Sequence, residues 1–392
     1  MDGDALRVLC APDSFKGSLT AAEAAEAMRR GVLDAAPDSS VEACPIADGG
    51  EGTVEAMIAA VAAERVVTRV TGPRGEAVEA AWALLPGHTE GPAGPTAVIA
   101  MAAASGLTLL DASARDPERT TTYGTGELLA AAIDRGATSM LVGIGGSATC
   151  DAGCGLAQAL GATFHDNRGR RLDAPLAGED LSRIASVDLS ALRERCEGVR
   201  VRVACDVTNP LTGPDGAAHV YAPQKGADAA AVRRLDAGLR HVARVWRDQL
   251  GIDGETLAGA GAAGGLGAGL AVMVGASLER GIDLVLGAVG FGARVAGCDV
   301  CLTGEGKLDG QSLSGKAVLG VAGAAASHGV PTWALVGRAA NDADRTLEAG
   351  LAGYREIAPG MAEDRAMRDA GPLLRRATAE LVRELRGGPG GC

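Results

Sequence analysis

Short apolar runs alternate with segments of helical periodicity at the start of the chain. Residues 5–12 are apolar and rich in strand formers, and Thr20, with Glu23 three positions later, begins an alanine-rich helix with a capping-box pattern. The same order recurs, with a strand predicted at 41–47 and a helix at 53–63. Strands that alternate with helices indicate parallel βα units, in which ligands bind at loops after the carboxyl ends of the strands.

The middle of the chain has a different pattern. Several short strands in succession, followed by a helix, are typical of a mixed α+β region. The strands are predicted near 65–71, 79–85 and 96–101, and the helix at 123–135. The simple alternation then returns, with strands predicted at 298–303 and 331–337 and helices at 315–327 and about 364–386.

These two patterns predict two domains of the α/β class. We expect residues 1–65 and 290–388 to form one discontinuous domain with a parallel sheet, and residues 66–289 to form an inserted, mixed domain. A chain of 392 residues is long enough for two domains of ordinary size. We expect the active site in the cleft between the domains, and a flexible tail at 389–392.

Composition and charge exclude several classes of function. A hydrophobic fraction of 47% is ample for buried cores, and the net charge of −12 argues against binding to nucleic acids or to anionic membrane surfaces. Neither a signal peptide nor an uncharged apolar run of membrane-spanning length is visible, so a cytoplasmic protein is expected. The nine cysteines are an odd number, which favours reduced thiols over a disulfide framework.

Only four of the 37 basic residues are lysines, and each lies in a glycine-containing motif. They are Lys16, Lys225, Lys307 and Lys316. Arginine serves elsewhere as the general surface cation, so these positions indicate a requirement for a compact ammonium, which suits phosphate.

Three predicted strands lead into glycine-rich loops, at 13–18, 47–53 and 143–155. Glycine allows successive backbone N–H groups to converge on an anion, and the helix that follows adds a favourable dipole. The segment 310–317 matches the P-loop spacing but has Ala317 where Ser or Thr would hold Mg²⁺. The GxGxxG spacing at 259–264 follows no convincing strand, which favours tight helix packing over a dinucleotide site.

Carboxylates accompany the lysines. Asp13 precedes Lys16, and Asp206 follows a predicted strand upstream of Lys225. Glu305 and Asp309 flank Lys307. Phosphoryl transfer requires cations for the moving group, carboxylates for Mg²⁺ and one carboxylate as the base, so this repertoire indicates a kinase. A serine hydrolase is disfavoured because no GxSxG motif occurs.

Eight ordered motifs together resemble the bacterial class I glycerate kinase family, of the glycerate 2-kinase type. The motifs are PDSFKGSLTA (12–21), ADGGEGTVEAM (47–57), TTYGTGEL (121–128), GIGGSAT (143–149), ACDVTNPLTGPDGAA (204–218), APQKGA (222–227), GAGAAGGLGAG (259–269) and TGEGKLDGQSLSGK (303–316). The resemblance covers nearly the whole chain. It implies transfer of phosphate from ATP to D-glycerate with Mg²⁺, 2-phosphoglycerate as product, and a Rossmann- or flavodoxin-like domain with a mixed insertion.

Site roles follow from the resemblance and from the residue types. Asp206 is the first candidate for the base and Asp309 the second, with Lys225 neutralising the transferring group. Asp48, Asp206 and Asp309 are the candidate Mg²⁺ ligands. The residues predicted to bind substrate or phosphate are Asp13, Ser14, Lys16, Ser18, Asp48, Gly49, Gly50, Glu51, Ser147, Thr149, Asp151, Asn209, Glu305, Lys307 and Lys316.

Three positions depart from the family pattern, and one of them, Lys307 where Arg is common, matters less than the other two. Ala100 stands where the family shows Glu in a VIEMA string, and Cys150 stands where it shows Asn in SATND. Three alternatives therefore stay open: a glycerate kinase, a kinase for a glycerate analogue or another small hydroxy acid, and a catalytically silent protein that binds a nucleotide or metabolite. Self-association into a homo-oligomer also stays open.

Overall fold

A computed structural model describes residues 5–47, 52–61, 63–87, 94–173, 175–309 and 317–387. The strands within these ranges are β1 (Arg7–Cys10), β2 (Ser40–Ala43), β3 (Glu64–Thr71), β4 (Ala77–Leu85), β5 (Thr96–Ala100), β6 (Ser139–Gly143), β7 (Thr163–His165), β8 (Ser186–Asp188), β9 (Arg200–Ala204), β10 (Ser277–Glu279), β11 (Val300–Leu308), β12 (Thr332–Ala339) and β13 (Gly353–Glu356).

The α-helices within the same ranges lie between these strands and after the last of them. They are α1 (Ala21–Ala35), α2 (Thr53–Ala60), α3 (Ala102–Ser105), α4 (Tyr123–Asp134), α5 (Cys154–Ala159), α6 (Ser190–Arg195), α7 (Ala217–Tyr221), α8 (Ala229–Leu250), α9 (Ala262–Gly269), α10 (Gly281–Ala288), α11 (Phe291–Val295), α12 (Ala317–Ala326), α13 (Arg345–Glu348), α14 (Glu363–Arg368) and α15 (Ala370–Gly387). Contacts divide the chain into two compact units. The first unit contains Met1–Asp48, Glu55–Ala62 and Ile282–Cys392, and the second contains Gly49–Val54 and Ala63–Gly281.

The first unit has a five-stranded sheet in which all neighbouring strands are parallel, in the order β13-β12-β11-β1-β2. Numbered within the unit, this is the flavodoxin-like order 2-1-3-4-5, in which β1 and β11 flank the point where the winding reverses. The predicted α/β class with a flavodoxin-like parallel sheet is therefore confirmed. Ligands of such sheets bind outside the carboxyl ends of the strands at this point.

Helices α1 and α15 pack closely in the first unit. A Cβ atom on Gly31 of α1 would lie 2.4 Å from the carbonyl oxygen of Arg375 on α15, so glycine permits the close approach. The capping box predicted for α1 is present, because Thr20 Oγ1 accepts from the Glu23 N–H at 3.2 Å and the Glu23 carboxylate accepts from the Thr20 N–H. Leu302, Leu335 and Leu374 are fully buried in this core.

Two sequence expectations in the first unit are wrong in detail. The helix predicted at about 364–386 is two helices, α14 and α15, which meet at Asp369. Pro372 cannot donate a backbone hydrogen bond to the turn before it, so a new helix begins there with proline in its first turn. The strand predicted at 298–303 starts later, because β11 begins at Val300. Cys298 lies before this strand, and its thiol donates to the carbonyl oxygen of Arg294 at 3.3 Å.

The second unit has a six-stranded mixed sheet in the order β10-β9-β6-β5-β4-β3. The four strands from β10 to β5 are parallel to their neighbours, while β4 is antiparallel to both β5 and β3. The expected mixed character of this region is confirmed. A pair of short antiparallel strands, β7 and β8, forms a separate ribbon. Trp82, Phe164 and Trp246 are fully buried in the core that covers the sheet.

Candidate active site

The loop after β1 in the first unit contains Asp13, Ser14, Lys16 and Ser18. It lies against β11, because the Asp13 N–H donates to the carbonyl oxygen of Gly304 at 2.9 Å. A Cβ atom on Gly306 would lie 3.3 Å from the backbone nitrogen of Lys16. The loop therefore occupies the point of the parallel sheet where ligands are expected.

Phe15 anchors this loop because its side chain is buried in the core of the first unit. The Ser14 N–H donates to the Asp13 carboxylate at 2.6 Å, and the Ser18 hydroxyl donates to the Phe15 carbonyl oxygen at 2.9 Å. Lys16, between them, is exposed. The two polar neighbours thus hold the turn, and the ammonium of Lys16 extends towards solvent on a fixed backbone.

The end of β11 carries three of the predicted residues. Glu305, Lys307 and Asp309 are two residues apart, so they lie on one face of the extended backbone. The Lys307 ammonium lies 3.0 Å from the Asp309 carboxylate, with the Lys307 side chain 62% exposed and that of Asp309 19% exposed. This exposed ion pair contributes little stability, about 1 kcal/mol or less.

Five of the predicted site residues lie outside the described residues. They are Asp48, Gly49, Gly50, Glu51 and Lys316.

Lys225 is the most buried cation of the second unit's candidate site. Its side chain is 2% exposed, and it lies on a short helical turn, Pro223–Lys225, that follows α7. The ammonium donates to the hydroxyl of Ser147 and to the carbonyl oxygen of Thr149, each at 2.7 Å. An ammonium has three N–H groups, so one of them has no partner among the residues that the structure describes.

Burial changes the titration of Lys225. Desolvation lowers the pKa of this ammonium from its ordinary value of 10.5 to about 8, while the nearby Cys150 and Asp151 raise it. The Lys225 ammonium is therefore shielded from solvent, and neither of its two hydrogen-bond partners is a carboxylate that would neutralise its charge. Such perturbed lysines occur at functional sites more often than elsewhere.

Asp151, the last residue of the Ser147–Asp151 loop, stabilises the loop through the hydrogen bonds of its carboxylate. Its carboxylate is fully buried and accepts hydrogen bonds from the N–H and hydroxyl of Thr122, at 2.8 and 2.7 Å, and from the N–H groups of Gly153 and Gly155, at 3.2 and 3.3 Å. Burial raises the pKa of Asp151, and these hydrogen bonds oppose the rise. The carboxylate therefore braces the start of α5 against the start of α4.

The loop after β9 contains Asp206 and Asn209. The carboxylate of Asp206 is exposed and accepts from the N–H of Gly281, the first residue of α10, at 2.9 Å. Asn209 donates to the carbonyl oxygen of Asp215 at 2.9 Å and accepts from the Tyr221 hydroxyl at 2.6 Å. Asn209 thus shapes its own loop, and Asp206 lies at the carboxyl end of a central parallel strand.

The glycines at 259–264 pack closely on neighbouring segments: Gly259 and Gly261 on residues 205–217, and Gly264 on the Ser147–Asp151 loop. Gly264 has a φ of +70°, and a Cβ atom there would lie 2.0 Å from the carbonyl oxygen of Thr149. The carbonyl oxygen of Gly264 accepts from the Ala152 N–H at 3.2 Å. Close backbone packing therefore accounts for these glycines, as the sequence analysis favoured.

The sequence of this chain is similar to known proteins over nearly its whole length. The model of the glycerate kinase family matches residues 8–386. The chain belongs to the glycerate kinase family.

Relatives in this family are similar along their whole length. A glycerate kinase of Bacillus subtilis strain 168 is 43% identical over 383 residues, which cover 97% of this chain and 98% of that protein. A glycerate 2-kinase of Escherichia coli K12 is 41% identical over 381 residues, again with 97% and 98% covered. A crystal structure of a protein assigned as glycerate kinase 2 from Salmonella typhimurium LT2 superposes with a TM-score of 0.88 at 40% identity, with 98% of this chain and 99% of that chain covered.

Family membership confirms the resemblance drawn from the eight motifs, and it makes the chain an enzyme of the kinase class. No helix in the described ranges is long and apolar enough to cross a membrane.

Two of the three departures from the glycerate kinase pattern lie in the second unit, Ala100 at the end of β5 and Cys150 in the Ser147–Asp151 loop. Ala100 ends β5 and pairs with Gly143 at the end of β6. Cys150 is 1% exposed, and burial raises its thiol pKa to about 12. A thiol with this pKa is protonated at neutral pH and packs as a small apolar group.

Thr122 is a functional candidate that the sequence analysis did not single out. Its hydroxyl donates to Asp151 and accepts from the Leu156 N–H at 3.0 Å, so one side chain links two helix starts. The motif TTYGTGEL at 121–128 contained this signal, since hydroxyl residues before a glycine-containing helix often serve as caps. The partner of the Thr122 hydroxyl, Asp151, is 29 residues away and could not be identified from the sequence.

Proposed function

We propose that this chain transfers the γ-phosphoryl group of ATP to D-glycerate, with Mg²⁺, to give 2-phosphoglycerate. The observation that carries the proposal is the buried Lys225 ammonium held on the Ser147–Asp151 loop, in a chain 41% identical to a glycerate 2-kinase along nearly its whole length.

The charges required for phosphoryl transfer are available in both units. The transferring group needs positive charge in a site with little water, and an ammonium with one unused N–H supplies it. Lys225 offers this in the second unit, and Lys16 and Lys307 offer exposed ammonium groups in the first. Burial strengthens the charge effect of Lys225, since the local dielectric is lower than that of water.

A carboxylate is needed to accept the proton of the attacking hydroxyl. Asp206 is the first candidate, because it follows a central parallel strand and its carboxylate is exposed. Its hydrogen bond from Gly281 orients the group without burying it. Asp309, which pairs with Lys307 at 3.0 Å, is the second candidate.

The donor chemistry of the described residues fits Mg²⁺. When Mg²⁺ accompanies a nucleotide it usually takes one or two protein carboxylates, and phosphate oxygens and water complete the octahedron. Asp206 and Asp309 are hard oxygen donors at strand ends, although no group of three or more potential ligands clusters among the described residues. Held by either one of these carboxylates, Mg²⁺ would neutralise charge on the phosphate oxygens.

The test is incubation of the purified protein with ATP, Mg²⁺ and D-glycerate, with ADP release followed and the product identified by phosphorus NMR. We expect a 2-phosphoglycerate signal. A 3-phosphoglycerate signal would overturn the proposed regiochemistry alone, and ADP release that is unaffected by D-glycerate would overturn the proposed acceptor. The variant Lys225→Met serves as the control for contaminating kinases, because its turnover should fall sharply.

A glycerate analogue or another small hydroxy acid is the second candidate acceptor. Ala100 and Cys150 favour it, because both depart from the family pattern at or next to the strand ends that carry the loop. A panel of hydroxy acids tests this with Ala100→Glu and Cys150→Asn. If the pocket is adapted to another acceptor, these variants lose activity on that acceptor. If the two residues have drifted, the variants gain activity on D-glycerate.

A further inference from the structure

Arg115 is exceptional among the partly buried arginines of the described chain because its side chain has no partner. The other partly buried arginines bond to a carboxylate or a backbone carbonyl. These pairs are Arg29 with Glu26, Arg195 with Asp134, Arg202 with Glu279, Arg294 with Glu42, Arg355 with Glu384, and Arg386 with the carbonyl of Ala35. The Nε of Arg115 is buried and makes no hydrogen bond.

An unpaired, partly desolvated guanidinium is unfavourable for the folded chain. Buried polar groups are nearly always hydrogen-bonded, and one that is not calls for an explanation. A bound anion supplies one, because the guanidinium fork matches the two oxygens of a carboxylate or phosphate. Six buried side-chain atoms of the described residues have no hydrogen-bond partner, and one of them, the Thr149 hydroxyl, lies in the loop that Lys225 binds.

The segment that carries Arg115 is tied to the Ser147–Asp151 loop on both sides. Before Arg115, Gly106 forms a bridge with Ser147, and the Leu107 N–H donates to the Gly146 carbonyl oxygen at 2.8 Å. After it, the Thr120 hydroxyl donates to the carbonyl oxygen of Ala148 at 2.9 Å. Arg115 therefore lies on a short connection whose two ends are both attached to the loop.

Arg115 also packs directly on the turn that presents Lys225. Gly226 has a φ of +101°, and a Cβ atom there would lie 2.4 Å from the carbonyl oxygen of Arg115 and 3.1 Å from its Cβ. Lys225, the preceding residue, donates to Ser147. The backbone and Cβ of Arg115 therefore lie against the turn whose Lys225 ammonium binds the Ser147 hydroxyl.

We propose that Arg115 binds an oxyanion of a substrate, either the carboxylate of the hydroxy acid or a phosphate of the nucleotide. This inference rests on the proposed function. Arg115 is a binding residue, and Lys225 and Ser147 form the neighbouring part of the same anion site. The substrate anion is the partner that the guanidinium lacks among the described residues.

The test compares Arg115→Gln with a matched control, Arg119→Gln. Arg119 lies four residues further along the same segment, is 62% exposed, and only approaches Asp116 and Glu179 at 3.8 and 3.9 Å. Loss of a bidentate charged contact should raise one Michaelis constant of Arg115→Gln about 10- to 100-fold, while Arg119→Gln stays within about twofold of the wild type. A higher KM for D-glycerate assigns the carboxylate, and a higher KM for ATP assigns a phosphate. If neither KM rises, the inference is wrong.

Direct binding separates this inference from the proposed function. Calorimetry with D-glycerate, ATP and inorganic phosphate should show weaker binding of at least one of them to Arg115→Gln than to the wild type, even if the wild type does not phosphorylate D-glycerate. Equal affinities, or no binding of any of the three to the wild type, would overturn the inference. We expect Arg115→Gln to keep a Tm close to that of the wild type, since no hydrogen bond or ion pair of its side chain with the described residues is lost. If it does not fold, Arg115→Lys, which keeps the charge without the fork, takes its place, and failure of both to fold would also overturn it.

Discussion

The ammonium of Lys225 donates a hydrogen bond of 2.7 Å to the hydroxyl of Ser147, which lies 78 residues earlier in the chain. The same ammonium holds the Thr149 carbonyl oxygen at 2.7 Å. One buried charge therefore fixes two points of a glycine-rich loop. Loop position and site charge depend on a single side chain, which makes Lys225 the residue whose replacement is most informative.

Lys225→Met should reduce kcat at least about 100-fold while the protein stays folded. Methionine keeps the unbranched stem and fills the buried space, but it removes the charge and both hydrogen bonds. The lost bonds destabilise the fold, while the removal of a desolvated charge stabilises it, so we expect the free energy of unfolding to change by less than about 2 kcal/mol. Steady-state kinetics and urea denaturation measure the two effects. Wild-type kcat in Lys225→Met would remove this residue from the site.

The pKa of Lys225 also predicts how the free energy of unfolding depends on pH. The folded pKa is about 8 and the ordinary value is 10.5, so between these values the unfolded chain holds a proton that the folded chain has lost. The contribution of Lys225 to the free energy of unfolding therefore increases by about 3 kcal/mol as the pH rises from about 8 to 10.5. Buried thiols with raised pKa oppose the trend, since the unfolded chain loses their protons first.

The difference in the free energy of unfolding between the wild type and Lys225→Met isolates the contribution of Lys225, because both proteins contain the same thiols. Urea denaturation from pH 7 to 10 should show the wild type gaining stability relative to the variant above pH 8. kcat of the wild type should fall above pH 8, as the ammonium loses its charge. A constant difference in stability over this range would show that Lys225 titrates normally.

Asp206→Asn should lower kcat at least about 100-fold with little change in Tm. The amide oxygen can still accept the N–H of Gly281, which the carboxylate accepts at 2.9 Å, so the loop keeps its anchor. The amide cannot take a proton as a base, and it carries no negative charge with which to hold a metal. Asp309→Asn is the matched comparison, and a larger loss there would exchange the roles of the two carboxylates.

Gly226→Ala should destabilise the second unit and reduce activity together. Its φ of +101° disfavours any side chain, and the new methyl would lie 2.4 Å from the Arg115 carbonyl oxygen. We expect a loss of about 3 kcal/mol in the free energy of unfolding. Gly251→Ala is the control, since Gly251 has a φ of +70° and open space around it, so strain alone should cost about 1 kcal/mol. Equal losses in the two variants would contradict the close packing at Gly226.

The sequence was sufficient for most elements because their signals are local. The capping box at Thr20 and Glu23 depends on residues three positions apart, and the structure contains it. The helix predicted at 123–135 is α4, Tyr123–Asp134. By contrast, the helix break at Asp369 was missed, because the apolar pattern continues through it and only the backbone of Pro372 interrupts it.

The residue types of the site, the alternation that gives a parallel sheet and the motifs that identify the family can all be read from the sequence. The contacts between distant groups required the folded chain: Lys225 bonds to Ser147, Asp151 accepts from Thr122, and Arg115 has no hydrogen-bond partner for its Nε among the described residues. The physical reason is the range of the interactions. Periodicity, caps and turns depend on near neighbours, whereas the burial and pairing of a charge depend on segments that folding brings together from distant parts of the chain.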